Sequence, residues 1–155
     1  MKNRYRMRNE MIGLIGESEG LKISSSDDNA SSICSTDAAW RIISRIDAHP
    51  VLKIDHRSAE KDLRDWLSVF LDGSRIESPI YLSLGGFGAA GWIQVESKNT
   101  PLAVSNFWIS SSFRELVLLD IEQRILIGLT AEEYTYEIRK EDIPPSRPKT
   151  DEHEE

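Results

Sequence analysis

Cys34, His49, His56, His153 and a set of carboxylates are the side chains of this chain whose types could do chemistry. Cys34 with Asp55-His56 supplies a nucleophile, a base and an orienting acid, the kit that activates a thiol or hydroxyl. No nucleophile elbow or comparable signature surrounds any of them. Cys34 sits among Ser and Thr, with no cation beside it to lower its pKa, and reads as an incidental thiol. Cys34, His49 and His56 match neither finger spacing nor H-E-x-x-H, so they do not read as metal ligands. The expectation is therefore no catalytic residue, no metal site and no cofactor.

Gly86-Phe-Gly-Ala-Ala-Gly91 satisfies G-x-G-x-x-G letter by letter. The dinucleotide fingerprint works because a helix begins there and aims its N-terminus at the pyrophosphate. Here Trp92-Ile-Gln-Val-Glu96 follows, and it alternates as a strand does. A kinase glycine loop also lies between strands, but no V-A-I-K lysine, H-R-D or D-F-G accompanies it. The run reads as a hairpin connection whose glycines supply positive φ.

Adjacent carboxylates occur at Asp27-Asp28, Glu132-Glu133 and Glu141-Asp142. Acid–base work on a glycoside needs two carboxyls across a cleft with separated pKa values, and neighbours in polar surroundings are simply solvated. The charge balance is more informative: 26 acidic against 19 basic residues give a net charge of −7. The first ten residues carry four bases and one acid, and the last fifteen carry two bases and six acids. An acidic body repels phosphate and disfavours direct nucleic-acid binding, and it accelerates encounter with a basic protein. The segment Lys2-Asn-Arg-Tyr-Arg-Met-Arg8 interleaves cations with an aromatic, but so few charges give weak, salt-sensitive affinity.

The elements that must position these groups follow from periodicity. Ser24 to Ser32 is a Ser-rich, turn-prone run with little to bury, although Met11–Ile15 could dock back as a strand or turn. From Thr36 or Asp37, either of which can cap, Ala39, Trp40, Ile43 and Ile46 recur at helical spacing up to Pro50. Val51–Ile54 suggests a short strand. Ser58 then caps a helix over 59–72, where Leu63, Trp66, Leu67, Phe70 and Leu71 form one stripe and Gly73 provides the stop. Trp40, Trp66, Trp92 and Trp108 all read as core.

Strand alternation follows in 79–84, 92–96 and 133–139, with 102–109 a further strand candidate. Ser112-Phe-Arg-Glu115 has the form of a capping box, but Val117, Leu119 and Ile121 facing Ile125, Ile127 and Leu129 favour a hairpin. The fold class is α+β, with two N-terminal helices on one face of a five- to six-stranded antiparallel meander. Residues 1–36 read as a flexible arm, basic then Ser-rich, residues 37–142 as one domain, and 143–155 as a Pro-rich acidic tail.

If Val117, Leu119 and Ile121 face inward, Asp120 and Glu122 face out, and Glu137 faces out on the last strand. Those three acids are the candidate partner-binding residues. The expected function is a non-enzymatic protein-binding module, most concretely a small acidic immunity or antitoxin-type inhibitor of a basic toxin such as a nuclease. The alternatives are a structural or chaperone-like subunit and an enzyme with an unrecognised acid/base pair. One cysteine excludes an internal disulfide, and no apolar run reaches the ~18 residues that span a bilayer. Met11–Gly16 is too short for a signal-peptide core, so the expected location is cytoplasmic, away from membranes.

Overall fold

A computed structural model of the chain describes residues 4–25, 29–45, 49–111 and 114–143. The stretch read as an arm begins with a helix, α1 (Arg4–Gly16), which docks through Met11 and Ile15, both fully buried. An i,i+4 pair of apolar residues is enough to attach a helix that shows no continuous stripe. The Ser-rich run supplies β1 (Lys22–Ser25), whose backbone ladder needs no large side chain.

Helix α2 (Thr36–Ile43) is capped by Ser35, one residue before the expected caps: its hydroxyl accepts from Ala38 N–H at 3.1 Å. It ends at Ser44, and Ile46 lies outside the described residues. Strand β2 (Leu52–Asp55) precedes α3 (Glu60–Gly73), which buries Leu63, Leu67 and Leu71 on successive turns. The left-handed residue that closes α3 is Arg75 (φ 57°) rather than Gly73, and Ile76 N–H returns to Leu71 O at 3.1 Å.

Strands β3 (Ile80–Leu84) and β4 (Ile93–Glu96) form a hairpin across the glycine-rich run. The segment 102–109 is helical, not a strand: α4 spans Thr100–Ser110. Asn99 Oδ1 caps it by accepting from Leu102 N–H at 3.2 Å, and Pro101 occupies the first turn, where a missing N–H costs nothing. Thr100, Ala103, Val104, Ser105, Phe107 and Trp108 are all buried, so the helix is apolar nearly all round and carries no stripe to betray its period. The hairpin reading of 115–129 holds, as β5 (Leu116–Asp120) and β6 (Ile125–Ala131), and β7 (Thr135–Asp142) follows.

The seven strands make one antiparallel sheet in the order β1-β4-β3-β5-β6-β7-β2. β5, β6 and β7 are a meander, but β2 crosses over to pair with β7, leaving β1 and β2 as edges. The two helices expected on one face lie on opposite faces. α1, α3 and α4 cover the face carrying Ile80, Leu82, Leu116, Leu118, Ile127 and Ile138. α2 covers Val117, Leu119 and Leu126 on the other, with Trp92 and Cys34. Both faces of β5 are apolar, so each needs its own cover. The last described residue, Ile143, is buried, and the rest of the tail, with His153, lies outside the described residues.

Candidate functional site

Asp120 and Glu137 do not face solvent. Asp120 is 5% exposed and Glu137 8%, because β5 and β7 sit between two covering layers instead of presenting one bare face. Glu122, in the turn between β5 and β6, is exposed. The three are not one cluster. Asp120 pairs with Ile125 at one end of β6, on the α3 side of the sheet. Glu137 pairs with Thr130 near the other end of β6, on the α2 side.

The structure does bring Asp120 and Glu122 together. They line an open pocket of about 330 Å³ with Arg75, Glu77 and Gln123, which no local pattern joins to them. The pocket forms where the β5–β6 turn meets the loop after α3. Asp120 Oδ1 accepts from Gln123 N–H at 3.1 Å and Oδ2 accepts from Gln123 Nε2 at 3.0 Å. The same Nε2 donates to the carbonyls of Ser74 and Arg75 at 3.1 Å each. Gln123 thus ties the turn to the left-handed close of α3, and the pocket beside it is lined by three carboxylates, Glu77, Asp120 and Glu122, with Arg75. Such a rim attracts cations and offers them open access.

Glu137 belongs to an ion-pair network inside the fold. Arg139 Nη2 donates to its Oε1 at 3.0 Å, Thr135 Oγ1 donates to its Oε2 at 3.2 Å, and Lys53 Nζ lies 3.9 Å away. Beside it, Thr130 is 7% exposed with no hydrogen-bond partner for its hydroxyl.

The remaining candidates do not line this pocket. Burial pushes the Cys34 thiol above its usual pKa, and Trp92 Nε1 donates to the Cys34 carbonyl at 2.7 Å. Gly86 and Gly91 have φ of 85° and 81°, and between them a short 3₁₀ turn packs Gly88 against the Trp40 ring. The turn is engaged by the fold itself: Thr36 Oγ1, in the first turn of α2, donates to Gly88 O and Arg8 Nη1 to Ala90 O. His49 is exposed, and His56 lies 6.5 Å from the Tyr134 ring with its Nδ1 unbonded. Among the described residues no group of three or more His, Cys, Asp or Glu could hold a metal, and no helix is long and apolar enough to cross a membrane. Comparison with protein-family models, curated proteins and solved structures finds no match to the chain.

Proposed function

We propose that the chain is a non-enzymatic protein-binding module, most concretely an acidic inhibitor of the immunity or antitoxin kind that neutralises a basic toxin such as a nuclease. The observation that carries this reading is the open pocket lined by Glu77, Asp120 and Glu122 together with Arg75. Carboxylates held on a rigid sheet end can occupy a partner's phosphate-binding cleft, and a net charge of −7 steers a basic partner towards them. Glu137 takes no part in this contact, because its carboxylate is held inside the fold. The toxin-inhibitor step is an argument from class, since the same physics serves any basic partner.

The test is capture from host cytosol with washes at low and then high salt, comparing the native chain with the Glu77→Gln/Glu122→Gln variant. A stoichiometric basic protein, toxic on its own, retained at low salt and lost with the variant, is the expected result. Retention of one partner by both proteins at high salt would move the reading to a structural or chaperone-like subunit. That alternative draws on Val51, Leu52 and Val69, which are 49%, 41% and 72% exposed.

A further inference from the structure

We propose that β2 is a self-pairing edge through which two copies of this chain join into one continuous antiparallel sheet. β2 leaves part of its backbone unpaired by β7. His56 N–H donates to Tyr134 O at 3.0 Å, so by the two-residue alternation of an antiparallel ladder Ile54 also points its N–H and C=O at β7. Lys53 and Asp55 point theirs away from β7. At the start of the strand Val51 N–H turns to Ile138 O at 2.8 Å, and at its end the Asp55 carbonyl already accepts from Ser58 N–H at 3.1 Å, which confines the open edge to both backbone groups of Lys53 and the N–H of Asp55. β2 is the last strand of the sheet, and the side chains of Lys53 and Asp55 are 60% and 56% exposed.

Geometry and charge together select the register. Residues opposite each other across an antiparallel pair share a face, so a symmetric junction must centre on one residue of β2. Centring on Lys53 sets ammonium against ammonium, and centring on Asp55 sets carboxylate against carboxylate. Centring on Ile54 places Lys53 opposite Asp55 of the second copy, twice over, on the face that carries Glu137. In each Lys53–Asp55 pair Asp55 N–H then donates to the Lys53 carbonyl, and Lys53 N–H shares the Asp55 carbonyl with Ser58 N–H, because these are the groups that point outward. Ile54 meets Ile54 of the second copy on the other face.

A lysine on an edge strand ordinarily keeps sheets apart. A cation and an anion two positions apart do the reverse, since the strand becomes complementary to itself read backwards. The apolar surface beside the strand fits this occupant. Val51, just before the strand, and Leu52 on it are exposed, and Leu52, Trp66, Val69 and Phe70 line an open groove of about 640 Å³ against α3. A second β2 laid along the edge would cover its rim. The pairing does not depend on the acidic-partner reading, which uses Arg75, Glu77, Asp120 and Glu122 and no residue of β2.

The experiment is sedimentation equilibrium of the native chain with Lys53→Glu, Asp55→Lys and the double exchange Lys53→Glu/Asp55→Lys. The native chain is expected to dimerise reversibly. Each single reversal should raise the dissociation constant about tenfold or more by opposing like charges, and the double exchange should restore it. Amide hydrogen exchange on the native chain gives a readout that needs no variant: the Lys53 and Asp55 amides should gain protection as protein concentration rises. A chain that stays monomeric while those amides exchange equally fast at every concentration would overturn the proposal. So would a dimer indifferent to both single reversals, or a double exchange no better than either.

Discussion

Arg139 binds Glu137 and the end of α2 with one guanidinium: Nη2 donates to Glu137 Oε1 at 3.0 Å and Nη1 to the Ile43 carbonyl at 3.3 Å. Two residues apart on β7, the pair lies on the face that α2 covers, with side chains 14% and 10% exposed. A cation at a helix C-terminus meets its partial negative charge, so the pair also fastens α2 to the sheet.

Removing one partner of such a pair strands a desolvated charge. Arg139→Met is expected to destabilise the chain by about 2–4 kcal/mol, while Glu137→Met/Arg139→Met costs less than that single change. Urea unfolding of the two variants checks this. A double variant worse than Arg139→Met would show that the pair contributes more by its attraction than by mutual neutralisation.

The packing of α2 on the sheet turns on Gly128. A Cβ there would stand 2.4 Å from Ile43 Cγ2 and 3.0 Å from Cγ1, so Gly128→Ala forces α2 to move. The expected cost is about 1–3 kcal/mol. Ile43→Ala alone leaves a cavity worth about 2–5 kcal/mol. The two together should cost clearly less than their sum, since the alanine methyl then occupies space the isoleucine vacated. Additive denaturation free energies would place the strain elsewhere.

These contacts explain what the sequence could and could not disclose. The α3 stripe and the β5–β6 hairpin were legible because their periods are local. Helix α4 was not: a helix buried on nearly every side has the composition of a buried strand, and Pro101 is a first-turn residue beside the Asn99 cap. Asp120 and Glu137 were misplaced for a related reason, while Glu122 is exposed as expected. Alternation in 117–121 implies an inside and an outside, but all five residues of β5 are buried because α2 closes the second face. That closure depends on Gly128 and Ile43, 85 positions apart, a relationship no window of sequence contains. Glu77 entered the acidic pocket the same way, through Gln123 reaching back to the loop after α3.

Asp55 should titrate below an ordinary aspartate, whose pKa is about 3.9. Its carboxylate accepts first from the Arg57 backbone N–H, at 2.8 Å, and the Arg57 guanidinium adds a smaller Coulombic attraction. A depressed folded pKa means that the contribution to stability is present above the unfolded value and lost as pH falls through the folded one. Arg57→Ala keeps the amide, so the carboxyl midpoint, followed by NMR, should rise only part of the way. A rise to the unperturbed value would make the guanidinium the main cause.

Asp120 and Glu122 line one pocket but should respond differently to mutation. Asp120 accepts both Gln123 donors, and Gln123 in turn holds Ser74 and Arg75, so Asp120→Ala releases the turn and the close of α3 together. That change is expected to cost about 1–3 kcal/mol of stability, as loss of a buried acceptor does. Exposed Glu122 makes no such contact, and Glu122→Gln should unfold within about 0.5 kcal/mol of the native chain. The consequence for function is that weakened partner binding in Asp120→Ala would report misfolding as readily as lost contact. Glu122→Gln isolates the charge: with a basic partner in hand, it should slow association at low salt and leave the rate at high salt unchanged. Equal slowing at both salts would place Glu122 outside the field that steers the encounter.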